Sequence, residues 1–366
     1  YAIYDFERYK RTFAVGIASE YLNVLRDLRR VENQEDNYRR LVASTRRARR
    51  LADSGRMPEF QFDQAVQDEL RAREGWIQSM QGYERSLDRF KVTLGLPPDA
   101  RVSLVEQELE ALRERAATLT EGVNVADYTG DVPPADAPVT LRPPGREGAG
   151  DLELDGGEAV RMALEHRCDL RAAQGRVEDA QRAVMVAADA LRAELTLLGS
   201  AQAGQARGIA SAGQPNAALD LGETSYSALL RLNLPLKRTR ERNAYRDSLI
   251  RLEKSVRDFQ ALEDQIKLQV RDRLRALQQA RETVFIQSQA VRLAERRVAS
   301  TDLFLQAGRA AIRDVLEAQD ALLSAQNSLS SAMVSYRIAE LEIQRDLDRL
   351  EVTADGIWAE YRPERN

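Results

Sequence analysis

The stretch Ala307-Gly308-Arg309 repeats Ser54-Gly55-Arg56 at an offset of 253 residues, and the match continues through the pairs Ala65 and Ala318, Leu70 and Leu323, and Ala72 and Ala325. Each glycine lies between two long patterns typical of helices. An internal duplication of this kind predicts two copies of one structural unit. Patterns of a helix and two strands precede the second copy, so we expect the corresponding part of the first repeat to lie upstream of Tyr1.

Apolar residues recur every seven positions before each glycine, as Val24 and Leu277 illustrate. After Gly308 a column of large side chains runs beside a column of alanines: Val315, Leu322, Leu329, Tyr336, Ile343 and Leu350 beside Ala311, Ala318, Ala325, Ala332 and Ala339. This period is typical of helices packed lengthwise. It predicts antiparallel hairpins with helices over about 5–53, 239–307 and 312–351. The longest helix would extend about 100 Å.

The two copies end with similar residues at a different offset. Leu87-Asp88-Arg89 matches Leu347-Asp348-Arg349, which lies 260 residues later. We therefore predict that the second copy contains one additional heptad and so keeps its packing phase.

Between the copies the composition changes. Residues 121–157 are rich in Pro, Gly and Asp, which predicts a linker between a first-repeat part over 1–120 and a second repeat over 158–352. A tail over 353–366 follows. The second repeat opens with a helical pattern over 158–193. Alternating patterns over about 194–205 and 225–236 then predict two strands joined by a polar loop, each long enough to cross a bilayer when tilted.

Composition and charge argue against several classes of function. A formal net charge of -4 argues against binding of nucleic acid by the whole surface, and the arginine run from Arg39 to Arg50 is more simply the solvated face of a helix. The single cysteine, Cys168, excludes an intrachain disulfide and a cysteine-rich metal site. No phosphate loop, metal spacing or nucleophile–base set occurs, and His166 has no catalytic constellation around it. We predict a protein that is not an enzyme and has no cofactor.

A single strand hairpin among long helices cannot satisfy its own edges, so it must join strands from elsewhere. At this point the chain resembles the TolC-type outer membrane efflux protein family. The matching text is Ala163 to Leu170 before the strands, Leu234-Pro235-Leu236 after them, and Gln306-Ala307-Gly308 with Asp314-Val315-Leu316-Glu317-Ala318 at the second hairpin. The resemblance covers essentially the whole chain, and the combination is specific although each motif alone is weak. Cys168 replaces the proline usual in the first motif.

The resemblance implies a homotrimer that is mainly α with a small β part. Each protomer would contribute four strands to a twelve-stranded transmembrane β-barrel in the outer membrane and four helical strands to a periplasmic α-barrel. The partners would be a periplasmic adaptor protein, an inner membrane transporter and outer membrane lipid. In the family an acidic pair after the second glycine surrounds the pore constriction, and it falls here on Asp314 and Glu317. The first repeat has Gln61 and Gln64 at these places.

Each group of candidate site residues has a functional and a purely structural interpretation. Asp314 and Glu317 share one helix face, where they either line the pore or are solvated carboxylates in a first helical turn. Gly55 and Gly308 end helices and, with Arg56 and Arg309, would form the tips on which an adaptor docks; the arginines either bind it or stay hydrated. Arg231 and Asn233 lie opposite an apolar strand face, either toward a barrel lumen or toward solvent. The apolar face consists of Tyr226, Leu230 and Leu232, which would contact lipid.

These observations favour a passive exit duct of a tripartite efflux or type I secretion system, located in the cell outer membrane with helices in the periplasm. The alternative is a periplasmic adaptor-like or soluble coiled-coil scaffold that uses the hairpins as a spacer. The apolar face from Tyr226 to Leu234 separates the two, because a soluble scaffold has no reason to expose it.

Overall fold

The structure is a computed structural model that describes residues 1–104, 110–111, 114, 134, 145, 149–202, 225–233, 237–353 and 358–361. Long helices dominate it. In chain order the elements are α1 (Ala2–Asp53), α2 (Glu59–Thr93), α3 (Gly156–His166), α4 (Cys168–Asp189), β1 (Glu194–Gln202), β2 (Ser225–Asn233), α5 (Thr239–Gln306), α6 (Ile312–Asp346), β3 (Glu351–Val352) and β4 (Trp358–Ala359). Most of the linker predicted over 121–157 lies outside the described residues.

The helix ends recur at the offset found in the sequence. α1 and α5 end 253 residues apart, and α2 and α6 begin and end 253 residues apart, each with 35 residues. The additional heptad predicted for the second copy is therefore wrong. Leu87-Asp88-Arg89 lies inside α2, whereas Leu347-Asp348-Arg349 follows the end of α6. The similar triplets occupy different structural positions, and α6 ends at Asp346 rather than at residue 351.

The single helix predicted over 158–193 is two helices. Arg167 separates α3 from α4 with an extended backbone, φ −61° and ψ 122°. The first backbone N–H of α4, that of Cys168, donates to the carboxylate of Asp348 at 2.7 Å. A helix N-terminus has free N–H groups, and a carboxylate is their favoured partner. The break therefore forms without the proline of the family motif.

The chain divides into two compact units. One comprises Tyr1 with Leu170–Glu263 and contains the antiparallel pair β1 and β2. The other comprises Ala2–Asp169 with Asp264–Asn366 and contains the hairpin of α1 and α2, onto which α6 packs.

In the second unit the seven-residue columns lie in the interior. Val24 and Leu277, which correspond at the repeat offset, are both buried, as are Val315, Leu322, Tyr336 and Ile343 of α6. Ring pairs between Tyr38 and Trp76 (6.1 Å) and between Tyr21 and Phe90 (6.0 Å) follow the hairpin of α1 and α2 along its length. The column of the sequence is thus the packing seam of the helices.

The tail predicted over 353–366 contains β4, which pairs antiparallel with β3 just before the tail. The backbone N–H of Tyr361 donates to the buried side chain of Gln344 at 2.8 Å, so this segment folds back along the end of α6. None of the helices in the described ranges is both long and apolar enough to cross a membrane.

Candidate membrane, tip and pore residues

The strand pair has one apolar face because the pairing register of β1 and β2 aligns the apolar residues of both strands. Leu195 pairs with Leu232, Leu197 with Leu230 and Ala201 with Tyr226, so the apolar residues of both strands lie on the same side. The predicted lipid-facing residues are highly exposed, Tyr226 at 79% and Leu230 at 64%. The pattern within each strand was visible in the sequence, but the agreement between strands was not.

The opposite face of the strand pair is more polar. Arg231 pairs with Thr196 and Asn233 pairs with Glu194, while the hydroxyls of Ser200 and Ser227 are hydrogen-bonded at 2.9 Å. Leu198 and Leu229 form the exception in the middle of this face. The register thus puts the predicted lumen residue Arg231 on the side away from Tyr226, Leu230 and Leu232, while the side chain of Asn233 lies outside the described part of the structure.

Both hairpin tips have the same backbone. Gly55 and Gly308 have φ of 68° and 69°, a left-handed conformation that glycine adopts without strain. At each tip the residue after the glycine closes a hydrogen bond back onto the helix, Arg56 N–H to Leu51 O at 2.9 Å and Arg309 N–H to Phe304 O at 2.8 Å. This is the Schellman pattern of helix ends. The prediction of glycine helix ends with positive φ is confirmed.

Each hairpin tip has an exposed arginine next to a cluster of buried apolar residues. Arg56 and Arg309 are exposed, and neither makes an ion pair within the described residues. Directly behind them, Met57 and Ile312 are buried in one cluster with Leu41, Ala48, Ala65, Ala72 and Leu316. The tips are therefore firmly supported and present their arginines outward.

Asp314 has a local structural role. It is the third residue of α6, and its carboxylate accepts a hydrogen bond from the N–H of Ala311 at 2.9 Å. This contact stabilises the first turn of α6. Glu317 is exposed and forms an ion pair with Arg297 of α5 at 2.8 Å. The two carboxylates therefore lie close together at the start of α6 while each has a partner within the chain.

His166 and Cys168 are structural. His166 Nδ1 lies 2.9 Å from the carbonyl of Met162 and its Nε2 lies 3.2 Å from Arg349. Cys168 is buried, and desolvation together with the nearby Asp348 raises the pKa of its thiol, which disfavours the reactive thiolate. The basic run on α1 also follows the simpler interpretation, since Arg39 pairs with Glu35 and Arg49 with Asp53.

Two buried charge networks were missed in the sequence. Arg167, only 2% exposed, pairs with Asp169 and donates to Gln269 at 3.1 Å. Arg281 pairs with Glu153 at 2.9 Å, both buried, and also donates to the carbonyl of Gly145. Burial raises the pKa of Glu153, while Arg281 acts against that rise. Arg281 and Glu153 lie far apart in the sequence and come together only in the folded chain. Arg167 and Asp169 are close neighbours in the sequence, but the burial of Arg167 depends on the folded chain.

The comparisons with known proteins agree on one architecture. The chain has a TM-score of 0.69 and 16% identity to the outer-membrane channel OprN, with 94% of this chain and 68% of that chain covered. It is similar to VceC of Vibrio cholerae (TM-score 0.65, 17% identity, 92% and 70% covered) and to the open state of the MtrE channel of Neisseria gonorrhoeae (0.65, 14%, 94% and 68%). At sequence identities this low, the similarity to these structures shows a shared fold. No curated protein sequence matches significantly.

A family match is independent of these structures. Residues 159–347, slightly more than half of the chain, match the family described as Outer membrane efflux protein. The matched range covers the strand pair, the second glycine tip and the pair Asp314 and Glu317. The chain belongs to the outer membrane efflux protein family, which consists of outer membrane channels with a periplasmic helical tunnel.

Proposed function

We propose that three copies of this chain form the exit duct of a tripartite efflux or type I secretion system. The observation that carries the proposal is the strand pair, in which both strands expose their apolar residues on one face. Exposed apolar patches of this kind on soluble proteins are small or functional. The scaffold alternative is not favoured, because it gives this face no partner.

The edges of the strand pair support a shared barrel. Within the described residues β1 and β2 pair only with one another, which leaves one unpaired edge on each. In a bilayer every backbone N–H and C=O group needs a partner within protein, and a closed barrel is the sheet that supplies it. Strands from three copies and from the first repeat would close such a barrel, with Arg231 and Asn233 toward its lumen.

The tips would bind the periplasmic adaptor. Arg56 and Arg309 offer guanidinium donors beside left-handed glycines on a buried apolar base. A guanidinium donates to carbonyl and carboxylate oxygens in a fixed geometry, so each tip suits the polar end of a partner helix hairpin. An inner membrane transporter, reached through the adaptor, would supply the energy.

Asp314 and Glu317 would surround the periplasmic constriction. Three copies would bring six carboxylates near one axis, which attracts cations. In each copy Arg297 already neutralises Glu317 in part, so Asp314 would carry more of the effective charge. The first repeat has Gln61 and Gln64 instead and adds no charge to the ring.

A planar bilayer recording of the purified full-length protein tests the duct. We expect discrete, cation-selective conductance steps, and no conductance at all would favour the scaffold. Leu230→Asp should prevent insertion into the outer membrane, because a charge on the lipid face opposes membrane burial. The matched control is Thr196→Asp, which puts the same charge on the opposite face of the strand pair and should insert normally.

A further inference from the structure

The strand pair has a strongly basic segment at the end where it joins the helices. Residues 237–251 contain six Lys and Arg residues and two carboxylates, a formal charge of +4, whereas the whole chain has a net charge of -4. The sequence that joins the strands at their other end, residues 203–224, contains one arginine and two carboxylates. Positive charge is thus concentrated at one end of the strand pair.

The basic segment lies close to the ends of both strands. Glu194, the first residue of β1, pairs with Asn233, the last residue of β2, so both strands join the helices at this end. Lys237 follows Asn233 by four residues and lies within about 14 Å of it, because an extended chain spans at most about 3.5 Å per residue. The side chain of Arg238 donates to the carbonyl of Leu191 just before β1, so the segments next to both strands are linked.

Four exposed cations of this segment form what we call the basic collar, namely Lys237, Arg240, Arg242 and Arg246. None of the four makes an ion pair within the described residues. Elsewhere in the same unit exposed arginines are paired with a carboxylate one turn away, Arg257 with Glu253 at 2.5 Å and Arg182 with Asp179 at 3.2 Å. The basic collar therefore differs from the other exposed charges of its unit.

The basic collar lies where the helix itself disfavours cations. Arg240 and Arg242 are in the first turn of α5, where the free N–H groups give the helix end a partial positive charge. Glu241, the acidic residue of that turn, offsets only one of them. Solvation alone gives no reason for cations at this end of a helix. An external anion does, because it interacts with the side chains and with the helix N-terminus together.

We propose that the basic collar binds the phosphate groups of anionic phospholipids in the periplasmic leaflet of the outer membrane. The proposal rests on the duct proposed above and adds a lipid contact to it. The strand pair exposes the apolar face that would contact lipid tails, so the headgroups of the periplasmic leaflet come next to the strand ends that join the helices. Basic side chains beside a membrane-spanning segment attract anionic headgroups. Three copies would extend the collar around the duct.

Spin-labelled lipids test this contact on the purified full-length protein in phosphatidylcholine bilayers at about 0.1 M salt. The probe is spin-labelled phosphatidylglycerol, compared with spin-labelled phosphatidylcholine, and the motionally restricted fraction of each gives its relative association constant. One cation beside an anionic surface strengthens binding about fivefold, and averaging over all lipid positions lowers the expected preference for phosphatidylglycerol to about twofold or more. Salt at about 0.5 M should remove most of this preference by screening. Equal restricted fractions at the lower salt concentration would overturn the proposal.

A double substitution with a matched control locates the binding. Lys237→Gln with Arg240→Gln should remove most of the preference. Lys254→Gln with Arg257→Gln removes the same side-chain types from exposed positions of α5 and should leave the preference unchanged, because Lys254 lies about 22 Å along the helix from Thr239, beyond the screening length. Equal reductions in the two variants would overturn the assignment to the collar. The salt dependence of the native protein tests the proposal without any substitution.

Three outcomes separate the proposal from its alternatives. Removal of the preference by inorganic phosphate at the headgroup concentration would show a site for soluble anions and overturn the lipid assignment. A changed ion selectivity of Lys237→Gln with Arg240→Gln in neutral bilayers, with the lipid preference retained, would place these side chains in the lumen and also overturn it. A native protein without lipid preference but with trimers and conductance intact would overturn the collar and leave the duct, whereas a monomeric, non-conducting protein would overturn the duct itself.

Discussion

The hairpin of α1 and α2 and the hairpin of α5 and α6 share helix ends but differ in their surroundings. Met80 on α2 is exposed while its counterpart Met333 on α6 is buried, and Leu94 is exposed while Leu347 is buried. At these positions α6 and the residues after it are thus covered by the chain itself, whereas α2 and the residues after it are not. The comparison teaches that helices with matching ends can differ in which of their side chains the chain itself covers.

The two hairpins also differ midway along their helices. A side chain at Gly75 of α2 would meet the side-chain oxygen of Gln34 of α1 at 3.1 Å, so Gln34 fills the space between the two helices there. At the corresponding place, Ser328 and Gln287 line a groove of about 710 Å³ between α5 and α6, which Arg30 of α1 also lines. Small residues permit close approach but do not enforce it, so the second pair is less tightly joined at this height.

The largest difference that can be tested concerns the second residue after the end of α2 and of α6. Gly95 and Asp348 correspond, and both have positive φ, 73° and 54°. Asp348→Ala should lower the free energy of unfolding by about 3 to 5 kcal/mol, since it removes a buried carboxylate from the N–H of Cys168 and from Arg11. Denaturant unfolding followed by circular dichroism measures the loss.

Two further variants separate the contribution of the carboxylate to stability from that of the left-handed backbone. Asp348→Gly should recover about 1 kcal/mol of the loss by relieving the left-handed backbone. Gly95→Ala should cost only about 1 kcal/mol, because no carboxylate contact is lost there. Equal losses for Asp348→Ala and Gly95→Ala would show that the carboxylate does not stabilise the second copy.

Substitution of the glycine should lower the unfolding free energy equally at both hairpin tips, because the two tips have the same backbone conformation. Gly55→Ala and Gly308→Ala should each cost about 1 kcal/mol of unfolding free energy, since a side chain meets no atom within 4 Å at either place and only the positive φ opposes it. Asparagine at either position should cost less, because it tolerates this conformation. Clearly unequal losses in the same unfolding experiment would contradict the equivalence of the tips.

How much of the structure could be predicted from the sequence depends on how far apart in the chain the interacting residues lie. The heptads, the glycine tips and the strand alternation predicted the hairpins and the strand pair, because they arise from neighbours along the chain. The break at Arg167 was missed, because the N–H of Cys168 after it is bound by Asp348, which lies 180 residues from Cys168 in the sequence. The additional heptad was wrong because two similar triplets, at Asp88 and Asp348, suggested an alignment that the helix ends do not follow.

The acidic pair Asp314 and Glu317 can be removed from the second repeat or introduced into the first, and channel function can be compared. Asp314→Asn with Glu317→Gln should weaken cation selectivity and raise single-channel conductance near neutral pH, because repulsive charge leaves the proposed constriction. Gln61→Asp with Gln64→Glu puts the pair into the first copy and should strengthen selectivity. Unchanged single-channel currents in both variants would remove these positions from the gate.

The smallest expected effect concerns Asp320, whose counterpart in the first copy is Gln67. Desolvation, and then the charge of Asp68 on α2, raises the pKa of the Asp320 carboxyl, while Arg71 lowers it. A raised folded pKa means that this group favours the folded state most below its unfolded pKa of about 3.9, and that the contribution is lost as pH rises through the folded pKa. Asp320→Gln should therefore stabilise the protein at pH 7 by less than about 1 kcal/mol, since solvent screens an exposed pair, and the gain should vanish near pH 3. A gain that is the same at both pH values would show that packing, and not the charge, separates the two copies here.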